Sequence, residues 1–172
     1  MIPQIKKILY TTDLSDNSAY VFRYAINSAK KHDANIIILH VLERMSSNTK
    51  ALIGSHLSEE IERKISEDRK AWSMDRIKNR LKVFCEKELT DDPDCKDRVD
   101  AIKVCEGFPA EVILQKADEL NCDAIIMGTH GKGIIANTFL GSTSKRVLRR
   151  TRKPVFIIPL PKGEIDISFH DI

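Results

Sequence analysis

Ala124-Ile-Ile-Met-Gly128-Thr-His-Gly131-Lys-Gly133-Ile-Ile-Ala-Asn-Thr-Phe-Leu-Gly141-Ser142-Thr143 is the stretch that decides how this chain is read. Four of the seven glycines lie in it, after an apolar run and before a basic segment, Ser142-Thr-Ser-Lys-Arg-Val-Leu-Arg-Arg150. A glycine-rich turn where a buried strand gives way to a helix is where α/β proteins hold nucleotides. Glycine takes positive φ without the penalty a side chain incurs, and it lets backbone N–H groups come close to phosphate oxygens. Ser142 and Thr143 add hydroxyls at a helix start, where the dipole favours anions.

Outward from that turn, strands and helices alternate. Residues 7–12 and 36–42 are continuous β-branched or apolar runs, the mark of parallel strands covered on both faces. Between them Ala19, Phe22, Ala25, Ile26 and Ala29 recur at helical spacing after the cap-rich turn 15–18. Residues 43–57 have no firm period and read as a loop. Leu57, Ile61, Ile65, Trp72, Ile77, Leu81 and Phe84 then predict the apolar stripe of one long charged helix that stops before Asp91-Asp92-Pro93. A third strand is expected over 99–105. A helix opened by Pro109 runs to about Leu120, where Asn121 suits a left-handed cap, and further strands follow over 123–127 and 155–158. The alternation predicts a single doubly wound α/β domain over 1–161, with a five-stranded parallel sheet. Beyond it, in 162–172, Ile165, Ile167 and Phe169 alternate with polar residues, as in an extra edge strand.

Composition excludes several classes. A chain of 172 residues with 42% apolar and 31% charged side chains suits one buried core rather than two domains or disorder. No apolar run nears the ~20 residues that cross a bilayer, and no signal-peptide pattern opens the sequence, so a cytoplasmic protein without a membrane partner is expected. The net charge of +3 dictates no partner. Cys85, Cys95, Cys105 and Cys122 form no metal-ligand spacing and read as free thiols, with a Cys85–Cys95 disulfide as the alternative.

Other glycine motifs fit less well. A Walker A loop needs Ser or Thr after its lysine, and Lys132 is followed by Gly133. Gly131-Lys-Gly133-Ile-Ile-Ala136 matches a dinucleotide fingerprint in letters, yet the next strand ends in Pro-Leu-Pro where an acidic ribose ligand is required. Gly141-Ser-Thr-Ser-Lys145 lacks the second glycine of a nucleophile elbow, so no catalytic residue is assigned.

The spacing Gly128-x2-Gly131-x9-Gly141-Ser142 resembles the ATP-binding signature of the universal stress protein family. Lys7-Ile-Leu-Tyr-Thr-Thr-Asp13-Leu-Ser15 is similar to that family's first strand, Ile36-Ile-Ile-Leu-His-Val41 to its second and Lys153-Pro-Val-Phe-Ile-Ile158 to its last. The resemblance implies a Rossmann-like, adenine nucleotide alpha hydrolase-like fold and a bound ATP, with Mg²⁺ or Mn²⁺ accompanying its phosphates. It further implies that Thr12, Asp13, Val41, Met127 and Gly128 surround the adenosine, and that Gly131, Gly141, Ser142 and Thr143 hold the phosphates, with His130 and Lys132 beside them. Thr11 and Thr12 stand where many nucleotide-binding relatives have proline or valine. Members often dimerise through the final strand, so a homodimer is expected.

Three functions compete on these residues. The first is an ATP-binding stress-response module whose occupancy alters dimer geometry or protein partners. The second is a slow ATPase or nucleotidyl transferase, although no base or acidic pair is evident for it. The third is a protein or nucleic-acid interaction domain with a vestigial pocket. Lys145, Arg146, Arg149, Arg150, Arg152 and Lys153 form the densest positive cluster. On sequence alone they read as a solvated face without stacking aromatics, and nucleic acid is not the expected partner.

Overall fold

The computed structural model describes residues 2–15, 18–43, 59–90, 97–129 and 140–159. The turn residues His130, Gly131 and Lys132, the loop over 44–57, Cys95 and the tail 162–172 lie outside them. The described elements are β1 (Lys7–Thr12), α1 (Ser18–His32), β2 (Asn35–Glu43), α2 (Glu59–Glu88), β3 (Val99–Gly107), α3 (Pro109–Glu119), β4 (Ala124–Gly128), α4 (Ser142–Arg150) and β5 (Val155–Ile158). The five strands form one parallel sheet in the order β3-β2-β1-β4-β5. This is the doubly wound arrangement expected from the alternation.

Continuous apolar strands need cover on both sides, and the helices provide it. Ile8, Tyr10, Ile36, Ile38 and Ile126 face α1 and α2, where they meet Phe22, Ala25, Leu81 and Phe84. Leu9, Ile37, Leu39, Ile125 and Met127 face α3 and α4, against Ala110, Ile113, Ala117 and Val147. The small residues Ala19, Ala25 and Ala29 let α1 settle close on the strands, and all are buried, as their spacing predicts. Rings of Tyr10, Phe22 and Phe84 follow one another at 5.3 and 5.2 Å, which links β1 to both helices on that side.

Two turns show why their residues were selected. Asn121 takes φ 51°, and the amides of Asn121 and Cys122 return to Asp118 O and Ala117 O, closing α3 in the left-handed manner expected. At Gly107 a Cβ would lie 2.6 Å from Val112 Cγ2, so α3 can turn back under β3 only without a side chain there.

The long helix requires a correction. Trp72, counted in its apolar stripe, is 63% exposed, whereas Leu81 and Phe84 are buried. Thirty residues of helix extend about 45 Å, while the nine-residue strands reach about 30 Å. A straight helix of that length cannot keep every turn over the sheet. Cys85 and Cys122 are buried and free, and Cys105 is half-buried and free. Burial, aided by Glu86 and Glu88, pushes the Cys85 thiol up to about 12, which keeps it protonated and inert.

Candidate functional site

From β1 the chain winds one way through β2 to β3 and the other way through β4 to β5, so the reversal lies between β1 and β4. Open α/β sheets bind ligands outside the carboxyl ends of the strands at that point. The ladder sets Thr12 beside His40, so Asp13, just past the end of β1, lies level with Val41 in the last part of β2. On the other side β4 pairs with β1 through Tyr10–Ile126 and carries on to Met127 and Gly128.

A polar network positions the end of β1. The Thr12 hydroxyl donates to Ser18 Oγ at 2.9 Å and accepts from Leu14 N–H at 3.1 Å. His40, itself buried, donates from Nδ1 to the Thr12 carbonyl at 2.8 Å. Tyr10, entirely buried, donates to the Ser18 carbonyl at 2.8 Å, and burial raises its pKa far enough to keep the phenol neutral. Leu14 adopts φ 61°, a left-handed turn that this network holds in place.

Asp13 is where that network ends. Its Oδ1 accepts from Ser15 N–H at 3.2 Å, Ser15 Oγ at 2.8 Å and Ser18 Oγ at 3.4 Å. Its Oδ2 is buried with no hydrogen-bond partner among the described residues. A buried carboxylate oxygen left unpaired costs about 1–3 kcal/mol or more. Arg98 Nε, at the amino end of β3, is also buried without a partner among the described residues; Asp13 differs in lying at the carboxyl end of β1, the end where open α/β sheets take ligands.

Across the cleft, α4 starts beside the end of β4. The Gly141 amide donates to the Thr129 carbonyl at 2.8 Å, and Ser144 Oγ donates to the Gly128 carbonyl at 3.1 Å and the Thr129 carbonyl at 3.4 Å. The Lys145 amide then makes a helical bond to Gly141 O, so the amides of Ser142, Thr143 and Ser144 lie at the open end of the helix. No side chain caps that end, and its first turn contains no acidic residue. Among the described residues, the strand ends thus hold an unpartnered acceptor at Asp13 and a helix start without a side-chain cap.

The expected site residues fall into three groups. Asp13, Val41, Met127, Gly128, Gly141, Ser142 and Thr143 lie at the carboxyl ends of β1, β2 and β4 or at the start of α4. Thr12 lies there too, and its hydroxyl also bonds within the chain, to Ser18 Oγ and Leu14 N–H. Gly131 lies outside the described residues. Gly141 has φ −65° and ψ 162°, an extended conformation open to any residue, so its value is close approach rather than positive φ. Ser18, His40, Thr129 and Ser144 were not singled out by sequence; short polar side chains beside strand ends were the only signal. Among the described residues no cluster of three or more His, Cys, Asp and Glu could hold a metal ion.

The universal stress protein family model matches residues 4–159. The chain belongs to the universal stress protein family. It is 31% identical over 168 residues to universal stress protein MJ0531 of Methanocaldococcus jannaschii, covering 92% of this chain and 85% of that one. The solved structure of hypothetical protein MJ0577 superposes with a TM-score of 0.70 at 26% identity, covering 94% of this chain and all of that one. A universal stress protein in complex with cAMP shares the fold at 20% identity and a TM-score of 0.55, over 91% of this chain and 98% of that one. No described helix is long and apolar enough to cross a membrane.

Proposed function

We propose that this protein is an ATP-binding regulatory module of the cytoplasmic stress response, with the nucleotide held at the β1/β4 switch point. The observation that carries the reading is the buried, unpartnered Oδ2 of Asp13 at the carboxyl end of β1, on the side of the switch point where β4 leads to an uncapped helix start. Asp13 Oδ2 accepts a hydrogen bond from the adenosine portion, and Oδ1 stays bound to Ser15 and Ser18. Backbone groups of Val41, Met127 and Gly128 border the base and ribose. The amides and hydroxyls of Ser142 and Thr143, approached over Gly141, hold phosphate oxygens, together with Gly131 of the same signature. ATP supplies a polyanion that satisfies these donors. A Mg²⁺ or Mn²⁺ ion would be held chiefly by the phosphates, and the Ser142 and Thr143 hydroxyls could add oxygen ligands.

The same arrangement favours retention over turnover, because the first turn of α4 offers no carboxylate to activate a water. Two copies join through β5, an edge strand whose Phe156 is 37% exposed. Light scattering on the full chain and on a chain cut after residue 161 checks the pairing; a monomer in both removes it. For the ligand, freshly purified protein is heat-denatured and the released nucleotide identified by chromatography, beside Gly141→Val. ATP from the parent alone is expected. No nucleotide from either, with no rise in melting temperature on adding ATP, would overturn the reading; steady ADP production would replace the module by an ATPase.

A further inference from the structure

Residues 142–153 contain six Lys or Arg and no Asp or Glu, whereas the other 22 basic side chains are outnumbered by 25 acidic ones. The modest net charge of +3 is therefore the sum of one strongly positive surface and an otherwise acidic chain. The fold concentrates the contrast. The buried residues of α4 are Ser144 and Val147. At about 100° per residue the opposite side of the helix presents Ser142, Lys145, Arg146, Arg149 and Arg150, which line one open groove. Arg150 is paired with Glu111 at 3.5 Å, and Lys153 with Asp118 at 3.4 Å. Lys145, Arg146 and Arg149 are exposed and have no ion pair among the described residues. Sequence alone reads this cluster as a solvated face; three neighbouring cations with no counter-charge among the described residues distinguish it.

We propose that this face of α4, through Lys145, Arg146 and Arg149, binds the phosphate backbone of a nucleic acid without reading its sequence, on a surface that adjoins the proposed nucleotide site at Ser142. Lys145 to Arg149 span about 6 Å of helix axis, a length that two or three phosphates of one strand occupy at about 3.4 Å each. Protein partners need an apolar centre with aromatic anchors and few charges, and Leu148 is the one large apolar side chain that α4 exposes. A lipid surface asks for apolar side chains to insert, which this face lacks. Nucleic-acid interfaces are polar and strongly positive. The absence of aromatics in 142–153 leaves no platform for stacking bases, so the contact is with backbone.

The test titrates the full-length protein into a fluorescein-labelled DNA duplex of arbitrary sequence and reads anisotropy over a range of NaCl concentrations. Binding is expected to weaken with salt with a log–log slope of about −3, since each neutralised phosphate contributes about −0.9. The triple variant K145Q/R146Q/R149Q, with the parent's melting temperature, is expected to lose about tenfold or more in affinity at the lowest salt, and most of the slope. No binding at the lowest salt, or an unchanged slope in the variant, would overturn the proposal. So would displacement of the duplex by poly-glutamate at equal charge, which assigns the face to an acidic protein, or by micromolar ATP, which moves the duplex into the cleft.

Discussion

The two ends of the parallel sheet are built to opposite rules. At the amino ends of the strands, most polar groups find partners within the chain, Arg98 Nε being a buried exception. Asp123 Oδ2 accepts from the amides of Lys6 and Lys7, both at 2.8 Å. Asp33 meets Lys6 at 3.4 Å and Arg98 at 3.2 Å, and Asn35 donates to Asp100 at 2.9 Å. Lys153 Nζ donates to the Cys122 carbonyl at 2.8 Å. At the carboxyl ends, Asp13 keeps a buried oxygen without a partner and α4 begins without a side-chain cap. One end is closed by its own chemistry; the other is left open at a cost in stability. That cost is what a ligand recovers on binding.

Gly141→Val should break the open end most severely. The backbone at Gly141 is extended and accepts valine, so the fold should survive while the branched side chain blocks approach to the α4 amides. Titration calorimetry should show ATP affinity reduced about 100-fold, roughly 2.7 kcal/mol, with little change in melting temperature. Asp123→Ala is the counterpart at the closed end. Loss of a charged acceptor from two amides should cost about 2 kcal/mol in urea unfolding and leave ATP affinity unchanged. If Asp123→Ala weakened ATP binding instead, the two ends would not be independent.

Asp13→Asn sharpens the comparison because it keeps the Oδ1 acceptor and alters only the unpartnered position. ATP affinity should fall about tenfold, while the free protein should be no less stable and could gain up to about 1 kcal/mol. A loss of stability without a loss of affinity would make Asp13 a turn residue. The smallest effect concerns Asp33, whose carboxyl Arg98 and Lys6 hold below the usual carboxylate range. A depressed folded value means that its contribution is present above the ordinary carboxylate pKa and is lost as pH falls through the lowered one. Asp33→Asn should therefore flatten the acid limb of the stability profile slightly, with no change near neutrality.

Much of the fold was legible because its signals are local. Six residues of β1 and the run of isoleucines in β2 have no polar alternation, so burial on both faces was written in composition. The five α1 positions spaced for a helix face are all buried. Trp72 was misread because periodicity says which side of a helix is apolar, not how far the helix has a neighbour to cover it. In the site, Asp13 and the α4 start were legible as a strand end and a glycine-serine turn. The roles of Ser18, His40 and Ser144 were not, since each is defined by a bond to another element: Ser18 and His40 to Thr12, and Ser144 to the end of β4.

The amino-acid sequence by itself determined the strand and helix order and the doubly wound class, because these depend on side-chain periodicity along the chain, and its glycine spacing suggested where a phosphate could be held. Only the tertiary structure decided that the Thr12 hydroxyl bonds to Ser18 and Leu14, that Asp13 keeps one buried oxygen unpartnered, and that Lys145, Arg146 and Arg149 of α4 have no ion pair among the described residues. Hydrogen bonds and ion pairs are settled by which distant elements the fold brings within about 3 Å, and no pattern along the chain records that distance.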